Sequence, residues 1–131
     1  MSDKTKDQVS QEEIWNMENY LKSYKICKRI LQLKNYEDKY FETLEWESET
    51  PAEFGIIRAK MFEVRHFIMG MPNSTEKVLL YYHFVRCEPI ERCAELLGIS
   101  RSSGFRLKRN ALIKAHLYSL RIGAVPAPFG F

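Results

Sequence analysis

The sequence predicts an all-α protein, and three features carry that prediction. Apolar residues recur at steps of three and four through most of the chain, the spacing of one helix face. From Gln11 to about Trp46 there is neither Pro nor Gly, and helix-forming residues dominate. Beyond that point Gly, Pro and capping residues fall between the apolar stripes, where helices must start and stop.

Residues 1–10 are polar and are expected to fray as a flexible N-terminus. Ser10 with Glu13 has the spacing of a capping box, which opens a long helix. Ile14, Met17, Leu21 and Tyr24 form its stripe. The stripe continues less regularly through Cys27, Ile30, Leu31, Tyr36, Tyr40, Phe41 and Leu44, with a break expected near Asn35. The acidic run from Glu45 to Thr50 and Pro51 precede a second helix. There Phe54, Ile57, Met61, Val64 and Ile68 hold a three–four rhythm until Gly70 and Pro72 end it. Two striped helices in succession pack as an antiparallel hairpin. Residues 11–72 are therefore read as one helical region. Its apolar surface exceeds what a single hairpin hides, so it is also expected to join two copies into a homodimer. Trp15 and Trp46 are assigned to its core or interface.

The rhythm shortens over residues 73–122. Asn73 with Glu76 reads as a capping box for a helix through Val85. Tyr81, Tyr82 and Phe84 lie among Val78, Leu79 and Val85, and are assigned to the core rather than to a stacking platform for single strands. Glu88 to Leu97 makes a short helix with Pro89 in its first turn, stopped by Gly98. Ser100 then caps a helix from Arg101 to about Arg121. Residues 123–131, with two prolines and two glycines, read as an extended tail.

The net charge of +3 hides an asymmetry. After Glu95 there is no acid, and Arg101, Arg106, Lys108, Arg109, Lys114 and Arg121 are all basic. The remainder holds fourteen basic against seventeen acidic residues. A basic block at one end suits a polyanion. No apolar run approaches the roughly 20 residues that cross a bilayer, so no membrane contact is expected. With its polar start, no secretion signal is expected. Three cysteines, an odd count without a close pair, fit a reducing cytoplasm better than a disulfide scaffold. The chain carries no nucleophile elbow, phosphate loop or metalloprotease motif, so no catalytic residue is expected. His83, Cys87 and Cys93, with His66 and His116 elsewhere, lack the close pairing of zinc ligands, so no metal or other cofactor is expected.

Residues 89–108 have the rhythm of a helix-turn-helix. Ala94 is small where two helices must cross closely. Gly98 can take the positive φ that ends the first helix sharply. Ile99 would plug the turn into the core, and Leu97, Leu107 and Ala111 would form the buried seam. The second helix would then present its first turn to the edges of bases in a major groove. Ser100, Arg101, Ser102, Ser103 and Arg106 can donate hydrogen bonds to bases or phosphates, and Lys108, Arg109 and Lys114 to phosphates.

Residues 71–113, MPNSTEKVLLYYHFVRCEPIERCAELLGISRSSGFRLKRNALI, resemble the C-terminal promoter-binding region of bacterial sigma factors. A sigma-like module behind a helical N-terminal half is similar to the small phage late-gene regulators of the ArpU and RinA type. The resemblance implies sequence-specific binding of double-stranded DNA at a promoter and activation of transcription, with host RNA polymerase as a further partner. Gly104 departs from the pattern, standing where such modules often carry a bulky apolar residue. Either Phe105 supplies the missing core contact or Gly104 permits a close approach. Two other readings remain open. A small terminase subunit also joins a helix-turn-helix to helical oligomerisation segments, and a module that docks on polymerase needs no base contacts.

Overall fold

The computed structural model describes residues 5–40 and 51–124, and side chains for all of these except 36–40 and 51–53. Among the described residues it is all-α, without a strand. The helices are α1 (Gln11–Tyr40), α2 (Pro51–Gly70), α3 (Thr75–Leu80), α4 (Ile90–Leu97) and α5 (Arg101–Ile122). α3 runs directly into a π-helical turn over Tyr81–Val85. The expectations for 41–50, Trp46 included, and for the tail beyond Ala124 lie outside the described residues.

The start of α1 forms as its sequence dictates. Ser10 Oγ accepts from the Glu13 N–H at 3.1 Å, and Glu13 Oε1 accepts from the Ser10 N–H at 3.2 Å. The segment before it is better held than its polarity suggests. Lys6–Gln8 forms a 3-10 turn, and Val9 is buried in the core. A single apolar side chain anchors what composition marks as frayed. α1 passes through Asn35 without the expected break. It buries Ile14, Met17, Tyr20, Leu21, Tyr24 and Cys27, whereas Trp15 is 63% exposed.

α1 and α2 run antiparallel. Tyr20 meets Phe67 edge-on at 5.7 Å and donates its hydroxyl to Glu63 at 2.7 Å. Farther along α1, Lys34 stands over the Phe54 ring at 4.7 Å, near the opposite end of α2. Phe54, Ile57, Val64 and Ile68 of the stripe are buried, with Met61 half-buried, and Phe67 joins them. The core does not stop at Pro72, where the sequence places the junction between two regions. One cluster joins Leu21, Ile68, Leu79, Leu80, Phe84, Ile90, Cys93, Ala111 and Leu112, so all five helices share it. Phe67 of α2 also packs on Tyr118 of α5 at 5.3 Å.

α3 begins one residue later than the capping box at Asn73 suggests. Ser74 is the cap, accepting from the Lys77 N–H at 3.3 Å. Asn73 instead accepts from the Lys77 ammonium at 3.0 Å. Periodicity does not reveal the π turn that follows. The Arg86 N–H reaches back to the Tyr81 carbonyl at 3.0 Å, and the Glu88 N–H reaches Tyr82 at 2.9 Å. Cys87 then takes a left-handed conformation at φ 57°, costly for a side chain with a Cβ, and the chain turns sharply into α4. Pro89 precedes that helix rather than lying inside it. Phe84 and Val85 of this turn are buried, but Tyr82 within it and Val78 in α3 before it lie on the surface, contrary to their core assignment.

The junction of α4 and α5 follows its residues closely. Gly98 ends α4 at φ 70°, with its N–H on Glu95 and the Ile99 N–H on Ala94. Ser100 Oγ accepts from the Ser103 N–H at 3.2 Å and opens α5. Ala94, Cys93 and Ala111 are buried, while Leu97, Ile99 and Leu107 are half-buried. Gly104 explains its own departure. A Cβ there would lie 3.1 Å from Ala94 Cβ and 3.2 Å from Ile90 Cγ2, so the glycine lets α5 approach α4 closely. Phe105 supplies no core contact; it points to solvent.

Gly104→Val should therefore force α4 and α5 apart and cost about 2 kcal/mol through overpacking, read as a lower urea midpoint. Gly104→Ala gains about 0.5–1 kcal/mol of helix propensity but loses more from the contact, so it too should destabilise. An alanine variant more stable than the parent would show that the crossing has slack.

Candidate nucleic-acid interface

The first half of α5 emerges from the core with one side free. Helix geometry sets Ser102, Arg106 and Asn110 in a row at steps of four, with Phe105 and Arg109 beside them. All five are exposed. On the opposite side Gly104 and Ala111 are buried against neighbouring helices. The Arg106 guanidinium donates to Ser103 Oγ at 3.5 Å, and Ser100 Oγ donates to the same hydroxyl at 2.9 Å. Ser100 and Ser103 thus hold the N-terminal turn of α5 and touch its arginine.

Arg101 stands at the entrance to this face. Its Nε lies 3.3 Å from Glu91 of α4, and its guanidinium is 5.8 Å from the centre of the Phe105 ring. Both charged groups are largely exposed, so the pair contributes about 0–1 kcal/mol and yields to a stronger anion.

Lys108 and Lys114 do not belong to the face to which the sequence reading assigned them. Lys108 follows Arg106 by two residues, which turns it to the other side of the helix. Its ammonium lies 3.1 Å from Glu18 of α1, a carboxylate it shares with Lys22 at 3.1 Å. Lys114 pairs with Glu76 of α3 at 2.9 Å. These two lysines fasten α5 to the rest of the molecule. Of the eight side chains singled out by sequence, six remain together: Ser100, Arg101, Ser102, Ser103, Arg106 and Arg109. Asn110 and Phe105 were missed as members of the face. The step of four from Ser102 through Arg106 marks Asn110, while the search for a core residue near Gly104 misdirected Phe105.

His83, Cys87 and Cys93 serve the backbone. His83 Nδ1 donates to the Glu88 carbonyl at 2.7 Å, and the Cys93 thiol approaches that oxygen at 3.8 Å. Burial pushes the His83 imidazole below its ordinary value and the Cys93 thiol above its own. Among the described residues no group of three or more His, Cys, Asp or Glu is placed to hold a metal ion. No helix among them is long and apolar enough to cross a membrane. Compared with family models, with curated proteins and with solved structures, the chain matches none.

Burial by itself would raise the Glu18 and Glu76 carboxyls, but the lysines beside them hold both below the usual carboxylate range. A carboxyl that titrates lower when folded stabilises fully above its unfolded value, and that stability is lost as pH falls through the folded value. Lys108→Met and Lys114→Met should each lower the melting temperature at neutral pH and flatten its decline between about pH 5 and 3. A decline as steep as the parent's in both variants would mean that these pairs do not couple folding to pH.

Proposed function

We propose that this chain is a sequence-specific regulator of transcription that binds double-stranded DNA through α4 and α5 as a helix-turn-helix. The observation that carries this reading is the exposed side of α5. It presents Ser102, Arg106, Arg109 and Asn110, side chains that can all donate hydrogen bonds, on a helix whose other side is packed into the core. A helix anchored along one side and polar and basic along the other is what a major groove accepts. The sharp turn at Gly98–Ser100 supports it, because it leaves the start of α5 capped by Ser100, with Arg101 and Ser102 exposed. The acid-free stretch after Glu95 supports it again, since no carboxylate on α5 would repel phosphates.

In this reading Arg106 grips a guanine through its planar fork, and Ser102 and Asn110 read neighbouring base edges. Arg101 exchanges Glu91 for a phosphate, Arg109 neutralises another, and Ser100 and Ser103 orient the turn. The sigma-like frame of residues 71–113 extends the proposal to activation of phage or prophage late promoters, with host RNA polymerase as the partner recruited there. Such a protein works in the cytoplasm, which its three free cysteines suit. Two copies joined through residues 11–70 would offer two recognition helices to a twofold-symmetric site.

Binding of the full chain to its selected site and to random DNA, measured at one salt concentration, tests the central claim. Arg106→Ala should cost about 1–3 kcal/mol on the selected site and less on random DNA, with relaxed preference at one base pair. Equal losses on both would reduce Arg106 to a positioning contact. The log–log salt dependence should have a slope of about −0.9 per phosphate contact, and Arg109→Ala should flatten it by about one. Lys108→Ala and Lys114→Ala should leave that slope unchanged. Light scattering should find a dimer at micromolar concentrations; a large ring would point instead to a packaging protein.

A further inference from the structure

Away from the α5 face, a groove of about 600 Å³ runs between α2 and the helix formed by α3 and its π turn. Phe62, Met69, Val78 and Tyr82 line it. The first two are 58% and 52% exposed, large apolar side chains that a packed surface ordinarily covers. The groove is built rather than accidental. The Phe62 ring stacks on His66 at 5.5 Å and 13°, and Tyr81 braces Tyr82 edge-on at 6.1 Å. Lys77 bonds the Met69 carbonyl at 2.8 Å and so ties one wall to the other. The π turn begins at this wall, and such turns recur at functional positions.

Arg65 and Lys77 bring positive charge to the groove, and among the described residues no acidic side chain lines it. Arg58 precedes Arg65 by two helical turns on the same side of α2. Neither arginine has an ion-pair partner among the described residues. Glu63, the nearest acid on α2, is engaged by Tyr20 and Lys60.

We infer that this groove is a docking site for an acidic amphipathic helix of another protein. The partner's apolar side chains, at steps of three and four, would fill the slot between Phe62, Met69, Val78 and Tyr82. Its Asp and Glu side chains would meet Arg58, Arg65 and Lys77. Two helical walls with an apolar floor accept a helix, and the two arginines, without an ion-pair partner among the described residues, select its charge. A second copy of this chain fits less well, because twofold pairing would set the same basic rim against itself. The inference does not depend on DNA binding by α5.

The probe is a labelled amphipathic peptide of about four helical turns, with Leu at the groove-facing positions and Glu on the flanks. A twin peptide carries Lys in place of Glu. With the full chain, fluorescence anisotropy should show the Glu peptide binding at least about tenfold more tightly than its twin. Phe62→Ser and Arg65→Glu should each weaken it by about tenfold, with DNA affinity and melting temperature unchanged. Both side chains are exposed, so the variants should fold; Met69→Ser is a third, independent variant of the floor. Equal affinity for the two peptides, no binding of either, or indifference to Phe62→Ser would overturn the inference. It would equally be overturned if Phe62→Ser turned a dimer into a monomer. The same holds if phosphatidylserine vesicles, rather than the peptide, bound with this dependence on Phe62 and Arg65.

Discussion

How closely α5 can lie against α4 decides the form of this molecule's C-terminal half. Gly104 meets Ile90 and Ala94 so closely that a further carbon atom would sit only 3.1–3.2 Å from them. That contact fixes the rotation of α5 about its own axis. Once Gly104 faces α4, Ser102, Arg106 and Asn110 must face away from it, because residues two and six positions apart fall on roughly opposite sides of a helix. The glycine costs some helix propensity in return for a defined orientation. The left-handed conformations at Cys87 and Gly98 serve the same end from the other side, since they set where α4 begins and ends.

Ion pairs make a second selection, among the cations. α5 has basic residues on several sides, and a count of charge treats them alike. Glu18 on α1 and Glu76 on α3 take up Lys108 and Lys114, holding the helix in place with partly buried, hydrogen-bonded pairs. Arg106 and Arg109 have no such partner among the described residues, and Arg101 has only an exposed one. Cations that fasten the helix and cations left exposed therefore lie along one helix, and acids far away in sequence separate them. The same principle distinguishes the α2–α3 groove, where Glu63 is engaged elsewhere and the arginines have no ion-pair partner among the described residues.

The N-terminal helices share one core with α5. Tyr20, Phe67 and Tyr118 form an aromatic chain from α1 through α2 to α5. Burial and the neighbouring Glu63 raise the Tyr20 hydroxyl well above its ordinary value, so it stays protonated and keeps donating its hydrogen bond. The candidate interface on α5 thus rests on a scaffold that includes residues a hundred positions earlier. A substitution where α1 packs on α2 can disturb α5 without touching it.

Much of this was legible in the residues alone. Helix class, the stripes of α1 and α2, the cap at Ser10, the stop at Gly98 and the start at Ser100 are local properties. Each depends on a few neighbouring side chains and the backbone groups they satisfy, and so the sequence by itself determined them. It also determined that Arg106 lies on the same side of α5 as Ser102, because helical spacing requires it. Tertiary structure alone decided what each side chain meets. Lys108 faces Glu18 across ninety residues, Val9 finds a pocket in the core, and Val78 and Tyr82 lie on the surface beside buried Leu79 and Phe84. Periodicity says which residues share a face of a helix. It does not say which face is covered, because that depends on elements brought together only when the whole chain has folded.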